Sequence, residues 1–207
     1  MNPLVPWTAV RWVAVDVEGN GQRPPDLVEV AVVAIAGGEI GQPRSWLVRP
    51  ARPITPMARK FHQIADEDVA DAPAIAEVAG QITAELDGAV FVAHNAHIDL
   101  SVIMREIPEY RPVLGVADTL KLSRRIIGGL GSYKLSALAD ALALSDGLPP
   151  GLRPHRAGYD ALVCARLLRH LAASASGPRA AGELLTLPSG DEPSAERGED
   201  DAAPVLF

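Results

Sequence analysis

Hydrophobic residues follow a strand-like period and then a helix-like period along the first 170 residues, which predicts an α/β fold. Residues 27–35 form a nearly continuous valine-rich run, typical of a central strand covered on both faces. Gly37-Gly38 predicts a tight turn into the strand that follows. The predicted strands cover residues 10–17, 27–35, 40–48, 89–93 and 113–117.

Helical spacing of apolar residues begins after three prolines between residues 50 and 56, which predict an irregular connection. The first helix opens near Pro73 and keeps Ile75, Val78 and Ile82 on one face. Further helices are predicted at residues 96–105, 118–127, 135–144 and 158–171. Three hairpin-like strands followed by alternating helix and strand predict a sheet with helices on both faces.

Length and composition favour one domain and a separate tail. A chain of 207 residues with 48% hydrophobic content can bury one core. After about residue 174 the composition changes to Gly, Pro, Ser, Ala and acids, which cannot bury enough apolar surface to become ordered. We therefore expect a domain at residues 1–174 and a disordered acidic tail at residues 175–207.

Targeting signals are absent from the sequence pattern. No apolar run is long enough to cross a bilayer, and the first residues lack the basic region of a signal peptide. The single cysteine, Cys164, suits a reducing compartment. These features predict a cytoplasmic protein with no membrane partner.

The net charge of −7 does not argue against a nucleic-acid substrate. Residues 177–207 contain seven acidic and two basic residues and so carry −5 of that total. The remaining −2 would become about +2 if the domain bound two divalent ions, since bound ions enter the local charge balance.

Asp16 and Glu18 flank Val17 at the end of the first predicted strand. Residues i and i+2 of a strand point to the same face, so both carboxylates would project together. Two like charges this close repel and need a cation if both are to stay ionised. A solvated acidic turn is the alternative for this short pattern taken alone.

A second candidate, Asp99, follows the fourth predicted strand and lies in the first turn of a helix. An acidic residue there is also favourable simply because of the helix dipole. For the preceding His94 and Asn95, the simplest interpretation is structural, with hydrogen bonds that tie the strand end to loops. Contact with substrate is the alternative.

The third cluster is His155 with Asp160, on a loop rich in proline and glycine and at the start of the last helix. An exposed loop histidine beside an ordinary helix-start Asp is the alternative. All three clusters, however, fall in order at the ends of predicted elements. Carboxylate oxygens are the ligands that Mg²⁺ and Mn²⁺ prefer, so the conjunction predicts a metal-dependent nuclease.

These patterns resemble the three motifs of the DEDDh 3′→5′ exonucleases: Asp16-x-Glu18, residues 94–99 and residues 155–161. The intervening segments 61–67, 118–120 and 134–138 are similar to epsilon-type proofreading members, and the resemblance covers roughly residues 10–172. It implies an RNase H-like fold, a mixed five-stranded α/β sheet of order 3-2-1-4-5 flanked by helices. Strand 2 would run antiparallel to the others.

The resemblance also implies roles for individual residues. Two Mg²⁺ or Mn²⁺ ions would be held by Asp16, Glu18, Asp99 and Asp160. His155 would act as the general base that deprotonates the attacking water. A sister group of exonucleases has tyrosine where Arg156 stands here, so the histidine type is favoured. Candidate substrate contacts are Val17, Gly19, Asn20, His62, Asn95 and Arg156.

Two positions depart from the family pattern. Glu18 is followed by Gly19-Asn20-Gly21 rather than by small hydroxyl residues, and Ile98 stands where an aromatic often precedes the middle Asp. Recognition should therefore depend on backbone contacts and metals more than on hydroxyls or base stacking. Candidate phosphate-binding residues are Arg124, Arg125, Lys134, Arg153 and Arg156.

The implied activity is the release of nucleoside monophosphates from single-stranded nucleic-acid 3′ ends, with DNA favoured over RNA. The alternatives are an RNA-trimming enzyme of the RNase T or oligoribonuclease kind, and a non-catalytic adaptor that binds a replicase or nucleic acid. The tail ends in apolar residues 204–207, which resemble peptides that bind sliding clamps. A replication or repair protein is therefore a candidate partner of the tail.

Overall fold

A six-stranded mixed sheet forms the centre of the protein. The computed structural model describes residues 4–173 and 179–186. The strands are β1 Trp12–Gly19, β2 Leu27–Ala36, β3 Glu39–Ile40, β4 Arg44–Leu47, β5 Val90–Ala93 and β6 Val116–Asp118. Their order is β3-β2-β1-β5-β6, and β4 also pairs with β2.

Strand directions confirm the predicted mixed sheet. The second strand, β2, is antiparallel to β1, β3 and β4, whereas β5 and β6 run parallel to β1 and to each other. One detail differs, because the single third strand expected at residues 40–48 is divided into β3 and β4. Pro43 lies in the gap and has no N–H to donate to a ladder.

Helices cover both faces of the sheet. They are α1 Pro56–His62, α2 Asp66–Val69, α3 Ile75–Leu86, α4 His97–Glu106, α5 Thr119–Ile126, α6 Leu135–Ala141, α7 Ala157–Ala172 and α8 Ala181–Leu184. The sequence interpretation missed α1 because it treated the prolines only as breaks. Pro56 instead occupies the first turn of α1, where its missing N–H is harmless, and the Thr55 side chain caps that helix.

Alternation along β1 assigns each residue to one of the two cores. Trp12 and Ala14 pack with the α5–α7 layer, whereas Val13 and Val15 pack with the α3–α4 layer. Continuing this alternation places Asp16 and Glu18 on the α7 side of the sheet. The long helix α7 is mostly buried and contacts both β1 and β2.

The segment 179–186, which the sequence analysis assigned to the tail after residue 174, packs against the domain. Ala181 and Leu184 are fully buried, and the Trp7 N–H donates to the Arg179 carbonyl at 3.1 Å. At the sheet edge the Thr186 N–H donates to the Val116 carbonyl at 2.8 Å. These contacts favour a domain that extends to Thr186, and the boundary at residue 174 stays a prediction.

Two other expectations concern the membrane and the end of the chain. Among residues 4–173 and 179–186, no helix is both long and apolar enough to cross a bilayer. The apolar run at 204–207, proposed as a docking peptide, lies outside the described residues.

Candidate active site

Three carboxylates from two distant segments converge at the carboxyl end of β1. Asp16, Glu18 and Asp160 each offer an oxygen, and these three atoms lie within 4.8 Å of one another. Asp16 and Glu18 project from one face of β1, and Asp160 comes from the first turn of α7, which packs on that face. The structure therefore brings together the first and third sequence clusters as expected.

Asp99 reaches the same strand from the first turn of α4. It is 5% exposed, and its Oδ1 accepts a hydrogen bond from the Val17 N–H at 3.2 Å. Val17 lies between Asp16 and Glu18, so the middle motif is attached to the backbone of the first. Asp99 is not one of the three residues within 4.8 Å, but its charge acts on Asp16 and Glu18.

The carboxylates resist ionisation because they are buried together. Burial, followed by the charge of Asp160, raises the pKa of Asp16 and of Glu18 well above its ordinary value. Burial also raises the pKa of Asp99 to about 8 and the pKa of Asp160 to about 7. An oxygen-only set that needs positive charge fits hard divalent ions such as Mg²⁺ and Mn²⁺.

His155 lies at the exposed rim of this cluster. Its backbone is left-handed, with φ of 61°, and its N–H donates to Asp160 Oδ2 at 3.0 Å. The imidazole meets the Phe61 ring edge-on at a centroid distance of 5.8 Å. His155, the predicted general base, is therefore bonded through its backbone to the Asp160 carboxylate and lies on a loop that contacts Phe61 of α1.

Arg156, a predicted substrate and phosphate contact, forms an internal ion pair instead. Its Nε and Nη2 donate to the two oxygens of Glu29 at 2.8 and 2.7 Å. Glu29 is 3% exposed and also accepts the Ala157 N–H at 3.1 Å. Sequence reasoning missed Glu29, whose only signal is an acid within the apolar run of β2.

Asn20, another predicted substrate contact, is fully buried and satisfied within the fold. Its Oδ1 accepts the Gln22 and Asp26 N–H groups at 3.1 and 2.9 Å. Its Nδ2 donates to Asp26 Oδ2 at 3.0 Å and to the Arg52 carbonyl at 3.2 Å. Asn20 therefore shapes the turn after β1 and leaves no side-chain group for a nucleotide.

His62 is also buried rather than open to substrate. Its Nδ1 accepts the Ile64 N–H at 3.0 Å, so its Nε2 donates to the Gly19 carbonyl at 3.2 Å. Burial lowers the pKa of His62 and favours the neutral ring. Of the other candidates, Val17 has its N–H bound to Asp99, whereas Asn95 is half-buried in a left-handed turn with φ of 71°.

Asp118 organises the turn that carries the middle motif. Its carboxylate accepts the N–H groups of Asn95 and Ala96, both at 3.1 Å, while it caps α5 through Leu120 and Lys121. Because Asp118 ends β6, these contacts join two neighbouring strand ends. In the sequence analysis Asp118 appeared only within segment 118–120, which is similar to epsilon-type exonucleases.

His94 supports the same turn and confirms its structural interpretation. Its Nε2 donates to the Tyr133 carbonyl at 2.9 Å, and its Nδ1 faces the Thr119 hydroxyl at 3.0 Å. Burial lowers the pKa of His94 to about 4, so the ring is neutral at physiological pH. Of the predicted phosphate contacts, Arg153 is exposed and bonded to Gln63 at 2.8 Å, and Lys134 is exposed.

The chain matches the profile of the RNase T family, described as "Exonuclease", over residues 13–168. It therefore belongs to this exonuclease family. The five side chains at the site are the Asp, Glu, Asp, Asp and His of the resemblance, so the domain is an exonuclease domain of the DEDDh type.

Individual relatives agree with this assignment. Exodeoxyribonuclease 10 of Escherichia coli is 39% identical over 142 residues, which is 69% of this chain and 60% of that protein. The 3′-5′ exonuclease DinG of Bacillus subtilis is 33% identical over 74% of this chain and 16% of its own length. Exonuclease X, solved in complex with 5′ overhanging duplex DNA, has a TM-score of 0.67 and 35% identity, covering 82% of this chain and 96% of that chain.

Proposed function

We propose that this protein is a divalent-metal-dependent 3′→5′ exonuclease that releases nucleoside monophosphates from single-stranded ends. One observation supports this most strongly: the oxygens of Asp16, Glu18 and Asp160 lie within 4.8 Å of one another, beside a histidine that can accept a proton. A binding module has no chemical need for this combination. The non-catalytic adaptor is therefore the weaker alternative.

The metal ligands would be Asp16, Glu18 and Asp160, with Asp99 completing the site, and we infer that two ions bind. Mg²⁺ or Mn²⁺ at such a site stabilises charge on phosphoryl oxygens and makes water easier to ionise. The chain's own contribution is to hold the four carboxylates in place from three elements, and the Val17 N–H fixes Asp99.

His155 would take the proton of the attacking water. An imidazole is suited to this because its ordinary pKa of about 6.5 lies near physiological pH. Because His155 is exposed, a nucleic-acid end can approach its imidazole. The Phe61 ring packs against the imidazole on one side and limits its movement there.

DNA is the favoured substrate. The name of the Escherichia coli relative specifies a deoxyribonuclease, and exonuclease X was solved with an overhanging DNA duplex. Structures of RNA-acting exonucleases at 14% identity share the fold alone. A role in replication or repair within the cytoplasm agrees with similarity to a DNA polymerase III subunit epsilon-like protein of Rhodobacter capsulatus.

The decisive experiment uses 5′-labelled DNA and RNA oligonucleotides of matched sequence, each with a free or a blocked 3′ end. We expect stepwise shortening of the free DNA end with Mg²⁺ or Mn²⁺, none with EDTA, and slower shortening of RNA. Binding without hydrolysis would favour the adaptor. Faster hydrolysis of RNA would favour the RNA-trimming alternative, and cleavage of blocked ends would contradict an exonuclease.

A further inference from the structure

An ion pair between buried Glu29 and half-buried Arg156 joins the sheet to the loop that carries His155. Glu29 lies on β2, and Arg156 is the residue that precedes α7. The two side chains meet through two nearly parallel hydrogen bonds of 2.8 and 2.7 Å. A paired fork of this kind constrains direction as well as distance, which a single contact does not.

The pair lies directly beside the catalytic groups. Glu29 is the cross-strand partner of Glu18, and Arg156 immediately follows His155 in the chain. The same Glu29 carboxylate accepts the Ala157 N–H at 3.1 Å, so it holds both the side chain before α7 and the first turn of the helix. Asp160 lies in that turn.

The direction of the His155 side chain depends on this anchoring. His155 has a left-handed backbone, which non-glycine residues rarely adopt, and its neighbours must keep it there. Asp160 binds the His155 N–H on one side, and the Glu29–Arg156 pair holds the next residue on the other. The intact pair is weak evidence for added stability, and we expect its main contribution in geometry.

We propose that Glu29 and Arg156 are positioning residues that hold His155 and Asp160 in the geometry needed for hydrolysis. This inference rests on the proposed function and adds two residues to it. Neither residue needs to touch the substrate. The competing interpretation makes Arg156 a phosphate ligand, but two of its three guanidinium nitrogens are already bound to Glu29.

Two substitutions test the pair. Arg156→Lys keeps the charge and removes the fork, and Glu29→Gln keeps the shape and removes the charge. Arg44→Lys is the matched control. Arg44 lies on β4, outside the site, and its Nη1 pairs with Glu85 Oε1 at 2.5 Å. We expect kcat to fall about 10- to 100-fold in each site variant, since small misplacements of catalytic groups have effects of this size.

KM should stay within about twofold of wild type, and the double variant should be no slower than the slower single variant, as for residues acting as a unit. All rates are measured under conditions in which circular dichroism shows that each variant is folded. NMR spectra of protein with isotope-labelled histidine provide a second readout. The ring signals of His155 should shift or broaden in Arg156→Lys, while those of His94, His97 and His170 stay in place.

The outcomes separate the interpretations. An unchanged kcat in folded Arg156→Lys would overturn the inference. A raised KM with normal kcat would assign Arg156 to phosphate binding instead. If wild type itself hydrolyses no oligonucleotide, the proposed function fails. If wild type is active and both variants are equally active, only the positioning role fails.

Discussion

Asp99 on α4 is bound to the backbone of β1 through the Val17 N–H, at 3.2 Å from its Oδ1. Because Val17 separates Asp16 from Glu18, this bond holds two predicted motifs at one strand end. The relationship has a practical consequence. Substitutions in the carboxylate set should affect catalysis and stability in opposite directions, since the four acids are held close together against their mutual repulsion.

Asp16→Asn should lower turnover by more than about 100-fold, because loss of a direct ligand should exceed the 10- to 100-fold effect typical of residues that only orient ligands. The metal-free variant should melt at the wild-type temperature or higher, since one repelling charge has been removed. Oligonucleotide hydrolysis and thermal melts in EDTA check both parts. A rate near that of wild type would refute the site assignment.

His155→Ala should lower turnover by about 10²- to 10⁴-fold, the usual contribution of a general base. Metal affinity should be nearly unchanged, and the pH–rate profile should lose its acidic limb. His170→Ala, at an exposed position near the end of α7, is the control and should retain wild-type rates. A large loss of Mn²⁺ binding in calorimetry would instead make His155 a metal ligand.

Metal-free protein should become less stable as pH rises from about 4 to about 8. Asp160 and Asp99 have folded-state pKa values of about 7 and about 8, above the ordinary Asp value of about 3.9 in the unfolded chain. The folded state therefore binds more protons than the unfolded state in this window, and stability falls as the protons leave. Urea unfolding in EDTA measures the slope.

Two comparisons isolate the carboxylate effect. Asp160→Asn should reduce the slope, and saturating Mg²⁺ should abolish it by binding the ionised form. Between about pH 4 and 6.5 buried His94 partly opposes this fall, since its lowered pKa of about 4 lets the unfolded state bind one more proton at that residue. A metal-free slope of zero between pH 6.5 and 8 would contradict the burial-driven shifts.

Truncation should distinguish the packed segment from the residues after it. A chain ending at Thr186 should keep wild-type stability and hydrolysis of short oligonucleotides. A chain ending at Ser174 loses the buried Leu184, and burial of a leucine alone contributes about 1.5–3 kcal/mol. It should melt at a lower temperature and hydrolyse more slowly.

The chain that ends at Ser174 should hydrolyse more slowly for a specific structural reason. The Thr186 hydroxyl accepts the Asp118 N–H at 3.0 Å, and the Asp118 carboxylate holds the Asn95 N–H beside the middle motif. Thr186→Val in the full-length chain tests this route without removing the segment. Equal stability and activity of the two truncated chains would restore the domain boundary at residue 174.

The sequence by itself determined the sheet and the candidate carboxylate set. The valine-rich run of β2, the alternation of β1 and the helical period of α3 and α7 are local patterns, and each was sufficient to predict its element. The clusters at Asp16, Asp99 and Asp160 were predictable for the same reason, because each follows a strand or begins a helix. Their meeting at one sheet end follows from the topology that those elements share.

Only the tertiary structure decided which polar residues hold the site in place through internal bonds and which are open to a nucleotide. Arg156 and Glu29 lie 127 positions apart, and no periodic pattern marks either as the other's partner. Asn20 and His62 have the same polar character whether they bind a nucleotide or satisfy buried backbone groups. The segment 179–186 has the composition of a tail but packs against residues 5–7, 116 and 171–172. These contacts depend on packing between distant segments, which short-range sequence patterns do not specify.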